Sequence, residues 1–114
     1  MQRQLVILSR SDSDRDDPSP IARRARIIED LAAINTGPEV PGGDVLYGPG
    51  IQIELPPDQD PVQQMLLTVV DEDIAWSVIR RLLRTFPWRM QDPISGMEWV
   101  GSGGARQDEE EGDS

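Results

Sequence analysis

The side chains able to do chemistry in this chain are carboxylates, hydroxyls, guanidinium groups and one phenol, Tyr47, because the sequence holds no Cys, no His and no Lys. Those absences remove disulfides and thiol nucleophiles, Cys/His zinc sites, imidazole acid–base catalysis, Schiff-base lysines and the lysine of a phosphate-binding loop. Carboxylates are left as the main candidates. Asp12-Ser13-Asp14-Arg15-Asp16 begins like a calcium loop, in which alternate oxygens converge on the ion. The sixth position, where such loops need Gly, is Asp17, and the twelfth, where they need Glu, is Arg23, so the stretch reads as a solvated loop that caps a helix. Asp58 and Asp60 precede an apolar run and Asp71, Glu72 and Asp73 follow it. A strand of that length separates its ends by roughly 20 Å, too far for one metal or acid–base site. The second group reads as a helix cap with first-turn carboxylates. Gly42-Gly43 and Gly48-Pro49-Gly50 read as turns, since a phosphate cradle needs free N–H groups at a helix start and a strand follows here. No catalytic residues are assigned, and neither a metal nor a cofactor is expected.

The other concentrated charge is basic. Arg80, Arg81 and Arg84 share one helix face on an acidic chain, a candidate surface for an acidic partner or for the chain's own DEEEGD segment. Tyr47 and Glu54, in or beside the Gly- and Pro-rich stretch 37–50, are the candidates for an alternative site between the 40–50 loop and a sheet.

Several elements must position these residues. Leu5-Val6-Ile7-Leu8 is a continuous apolar stretch and the run 65–70 is apolar except for Thr68, both suited to central strands, and Ile51-Gln52-Ile53-Glu54-Leu55 alternates as a strand with one wet face. Segment 21–34 places Ile21, Ala25, Ile28, Leu31 and Ala32 along a helical stripe, with Arg26 and Asp30 at pairing distance and Gly37 ending the helix. Segment 72–86 is the stronger helix, opened by Asp71 and closed by Pro87. Trp88-Arg89-Met90-Gln91 alternates as a last strand, and residues 97–99 suit a returning arm beyond the turn at 92–96. The resulting order, β-α-β-β-α-β, predicts an α+β fold: a ferredoxin-like plait with two helices on one face of a four-stranded antiparallel sheet and an extra C-terminal hairpin arm.

With 114 residues there is room for one domain, over 1–100, followed by an acidic tail over 101–114 that reads as disordered. Net charge is −10, of which the tail's five acids and one Arg account for −4, leaving the body near −6. Such a body repels phosphate backbones and anionic lipid, so neither nucleic acid nor a membrane is expected as partner. The central strands also lack the aromatics on which bases stack. The apolar run near the N-terminus spans four residues, too short for a signal-peptide core, which points to the cytoplasm.

A plait covers one sheet face, yet the runs at 5–8 and 65–70 are apolar on both. Val6, Leu8, Leu66 and Thr68, or the alternate set, must therefore face something else: the 38–49 stretch, the 97–99 arm, or a second copy of the chain.

The stretches GPGIQIELPP, DEDIAW and DPISGMEW resemble a set of short bacterial proteins of uncharacterised function, over residues 44–99. The resemblance implies no activity and supplies no catalytic residues. The function expected from the residues is a non-enzymatic binding or regulatory module. It would act through the open sheet face or the Arg80, Arg81 and Arg84 face toward a protein partner, itself included as a homodimer. The alternative is a small-molecule or enzymatic plait using Tyr47 and Glu54.

Overall fold

A computed structural model describes residues 3–10, 20–40 and 42–103. The calcium-like stretch at 12–17, and Asp17 and Ser19, whose short polar side chains suit the expected helix cap, lie outside the described residues, as does the acidic run after residue 103. In chain order the elements are β1 (Gln4–Ser9), α1 (Arg24–Ala32), β2 (Gly37–Pro38), β3 (Val45–Gly48), β4 (Ile51–Glu54), β5 (Gln64–Val69), α2 (Glu72–Thr85), β6 (Trp88–Gln91) and β7 (Glu98–Val100). All seven strands join one antiparallel sheet in the order β2-β3-β4-β5-β1-β6-β7.

The expectation of a four-stranded ferredoxin-like plait is thereby overturned: the sheet has seven strands and strands dominate the molecule. The four expected strands make up its middle, β4-β5-β1-β6, and three further strands widen it at both edges. The stretch 37–50, expected as a loop, supplies β2 and β3. Val45-Leu46-Tyr47 alternates, with Leu46 fully buried and its neighbours turned to the other face. Pro49 and Gly50 then fill the central positions of a tight turn into β4, and Gly50 takes the positive φ of 71° that a type II turn requires there. The arm at 97–99 becomes β7, paired to β6 through Met90 and Trp99.

Helix α2 forms as its sequence predicts. The Asp71 carboxylate accepts from the Asp73 backbone N–H at 3.0 Å, and Glu72 and Asp73 sit in the first turn where the helix dipole favours negative charge. Ala75, Ile79 and Leu82 are buried on the sheet; Ile79 and Leu82 each contribute about 1.5–3 kcal/mol by leaving water. Helix α1 is shorter than the stripe at 21–34 implies. Ile21 and Ala22 are extended instead, exchanging backbone hydrogen bonds with Val62 at 2.7 and 2.8 Å. Arg23, the residue before the helix, has no capping side chain, and Asp60 acts from across the chain by accepting the Arg24 N–H at 3.0 Å. The Arg24 guanidinium binds the Pro56 carbonyl at 2.9 Å and the Asp44 carboxylate, tying the helix start to both sides of the β3–β4 hairpin. At the far end the left-handed residue is Asn35, φ 63°, rather than Gly37, which joins β2.

One core results. Leu5, Ile7, Met65, Leu67, Val69, Ile51, Ile53, Leu46 and Met90 point from the sheet toward Ile27 and Leu31 of α1 and Ala75, Ile79 and Leu82 of α2. Both helices therefore serve the same side of the sheet.

Candidate functional site

Because side chains alternate along a strand, the residues between those core positions define the opposite face. In register they form three rows. Tyr47, Gln52, Thr68 and Gln4 make the first, and Val45, Glu54, Leu66, Val6, Gln91 and Glu98 the second. Gln64, Leu8, Arg89 and Val100 make the third. Val6, Leu8 and Leu66 lie together at the centre, half-buried, on the two innermost strands. The polar side chains of Gln4, Thr68, Glu54, Gln64, Arg89 and Gln91 border them. Among the described residues no helix and no loop crosses this face. The two segments expected as intramolecular cover extend the sheet instead: Leu46 and Trp99 turn to the helix side, Trp99 packing at 5.5 Å from Trp76.

The frame is held by hydrogen bonds. Gln4 donates to the Thr68 hydroxyl at 3.3 Å. Arg89, buried although it stands on the bare face, donates through Nε to the Ser9 carbonyl at 3.2 Å and through Nη1 to Glu98 Oε2 at 2.7 Å; Gln91 donates to the same oxygen at 3.2 Å. Three strands are clamped by one guanidinium. The hydrogen bond from Arg89, then that from Gln91, hold the Glu98 carboxyl below its ordinary range against the opposing effect of burial, with the Arg89 charge adding to them. In the β6–β7 turn, Asp92 Oδ1 accepts the N–H groups of Ile94 at 2.9 Å and Ser95 at 3.3 Å, while Arg3 stands 3.9 Å from the other oxygen. The Ile94 N–H is the largest cause of a lowered Asp92 pKa; burial opposes it, and Ser95 and Arg3 reinforce it.

Beside the centre, Val6, Leu66, Pro56, Pro57, Glu54 and Gln64 line a notch of about 160 Å3 on the bare face. A larger groove of about 570 Å3 lies on the helix side between α1 and the α2–β6 junction, floored by Ile27, Ile34, Phe86 and Trp88. Its rim carries the Arg26–Asp30 pair, whose 3.1 Å contact matches the i,i+4 spacing expected from the sequence.

Tyr47 and Glu54 do share the bare face, but one register step separates them: Tyr47 stands opposite Gln52 and Glu54 opposite Val45. They line different hollows, Tyr47 one of about 210 Å3 with Glu39, Val40 and Asp44, and Glu54 the notch. Both are exposed. Arg80, Arg81 and Arg84 are exposed on α2 and form no ion pair among the described residues. Among the described residues no three Asp or Glu side chains gather as a metal site, and no helix is long and apolar enough to cross a membrane. Arg89 and Glu98 are the site residues that sequence reasoning missed. The alternation of Trp88-Arg89-Met90-Gln91 does place Arg89 opposite the core, but its partners arrive from β1 and β7. No family model, no curated protein and no solved structure matches the chain.

Proposed function

We propose that the protein is a non-enzymatic protein-binding module whose bare sheet face docks a partner, with a second copy of the chain as the simplest occupant. One observation carries this reading: Val6, Leu8 and Leu66 adjoin on the central strands of a sheet whose two segments expected as cover lengthen it instead, with no other described segment crossing that face. An apolar centre inside a polar frame is the anatomy of a protein interface. The notch beside Leu66 suits a single apolar side chain, and Glu54 and Gln64 at its mouth supply hydrogen-bond acceptors for backbone N–H groups of the docked segment.

The experiment compares the intact chain with Leu66→Asp, which places a charge at the centre of the face and leaves the helix-side core untouched. Sedimentation equilibrium up to high micromolar concentration is expected to show a dimer that the substitution converts to a monomer with an unchanged circular dichroism spectrum. Affinity capture from the native host tests the same face for another protein. A wild-type monomer, together with capture of the same proteins by both forms, would sink the reading.

A further inference from the structure

The described chain ends by lying down on the end of α2. Gly101 donates its N–H to the Trp88 carbonyl at 2.7 Å, and its own carbonyl accepts from Arg10 Nη1 at 2.6 Å. Ser102 and Gly103 then donate to the Leu83 carbonyl at 2.8 and 3.1 Å, satisfying an acceptor that the last helical turn leaves unpaired. Gly101 and Gly103 are buried. A Cβ on Gly103 would come within 2.4 Å of the Arg84 carbonyl oxygen and 2.3 Å of the Thr85 carbonyl carbon, so only glycine permits this contact. The C-terminal segment therefore departs from a fixed point beside Arg84.

We propose that the Arg80, Arg81 and Arg84 face of α2 is the seat of the chain's own acidic segment, Asp108, Glu109, Glu110, Glu111 and Asp113. Charge and reach both support it. The three guanidinium groups form no ion pair among the described residues, and they cluster through i,i+3 and i,i+4 spacings. Residues 104 and 105 are Gly and Ala, and the first acid stands five positions beyond Gly103. Five extended residues reach about 17 Å, whereas Arg80 lies only about 6 Å along the helix axis from Arg84. The dipole at the helix C-terminus repels negative charge and so disfavours the acids beyond Thr85. They come instead beside the guanidinium groups one turn back. Individually such exposed pairs are weak. A tether this short holds the acids at an effective concentration in the millimolar range, so the contact forms without any other fixed geometry. An acidic segment of another protein must then displace the tail before it can occupy α2. This inference concerns the helix face and is independent of the sheet-face reading.

The test uses the full chain and a variant with a neutral tail, Asp108→Asn, Glu109→Gln, Glu110→Gln, Glu111→Gln and Asp113→Asn, each followed by nuclear magnetic resonance at low ionic strength. The Nε–H resonances of Arg80, Arg81 and Arg84 are expected to differ between the two proteins, while those of Arg24 and Arg89 coincide. Adding ~1 M NaCl, where the screening length is about 3 Å, is expected to move the wild-type resonances onto those of the variant. Arg80→Gln with Arg84→Gln is expected to shift the backbone amides of residues 108–113. Coincident Arg80, Arg81 and Arg84 resonances in the two proteins at low salt would overturn the proposal. So would differences that grow with protein concentration, since the tail would then belong to a neighbouring molecule.

Discussion

Arg89 shows how one side chain sets the edge of the bare face. Its guanidinium joins the β1 carbonyl of Ser9 to Glu98 on β7 while its own backbone belongs to β6. Glu98 and Asp92 both have lowered pKa values, so the stability they contribute is complete above the unfolded carboxyl range, about 3.9–4.3, and is lost as pH falls through their lower folded values. Acid is therefore expected to loosen the β6–β7 hairpin before the sheet centre. Hydrogen exchange at Trp99 and Val100 should accelerate below pH ~4 ahead of exchange at Leu67. Combining Asp92→Asn with Glu98→Gln should abolish that pH dependence; hairpin and centre losing protection together would count against it. A second residue-scale prediction concerns Gly50, where an added Cβ meets the Ile74 Cβ at 2.9 Å and the Ala75 backbone nitrogen at 3.0 Å on top of a positive φ. Gly50→Val should cost about 2–4 kcal/mol in urea unfolding, from a left-handed β-branched residue and an overpacked contact. Gly42→Val, with the same sign of φ and open space around it, should cost only the backbone part.

At the scale of elements, the legible parts were those whose signal is local. Asp71 marks the start of α2 because a cap needs only its own helix, and Asp71→Ala should lower the unfolding free energy by about 1 kcal/mol with no change in the sheet. The strands β4 and β5 and the Pro49-Gly50 turn were readable from alternation, apolar runs and turn chemistry. The apolar run Leu5-Val6-Ile7-Leu8 also showed that the sheet has a second apolar face that two helices cannot cover, but not that the 38–49 and 97–99 segments would extend the sheet rather than cover it. The edge strands were not readable. β2 has two residues and β7 three, too few for a period of two to declare itself, and β3 is enclosed by Gly and Pro that argue for loop. What makes them strands is the edge of the sheet already present, which satisfies their backbone groups. Helix α1 was overextended for the same reason: Ile21 and Ala22 fit a helical stripe, but Val62 offers them a strand partner. The clamp of Arg89 on Glu98 depends on pairings that bring residue 9 to residue 88 and residue 98 to residue 91, and no local pattern encodes those.

For the whole molecule, the bare apolar face and the charge act against one another. Two copies, each carrying −10, repel at neutral pH, while Val6, Leu8 and Leu66 favour contact through loss of water. Screening weakens the first term and leaves the second, so association through the sheet face should strengthen with salt at neutral pH. The contact proposed between the tail and α2 should weaken under the same change, because it would be attraction between opposite charges. Salt therefore separates the two surfaces by sign. Lowering the pH toward the isoelectric point near 4.3 removes the repulsion by a second route. Asp92 and Glu98 are both held below the ordinary carboxyl range, so they lose their charge at lower pH than the unshifted carboxylates do. The average mass from sedimentation is thus expected to rise with NaCl at neutral pH, and to rise again between neutrality and pH ~5 at low salt. Leu66→Asp should remove both increases, because it strikes the contact rather than the charge balance. A mass that falls as salt is added would mean that opposite charges hold the copies together, and the apolar face would lose its role as the contact between copies.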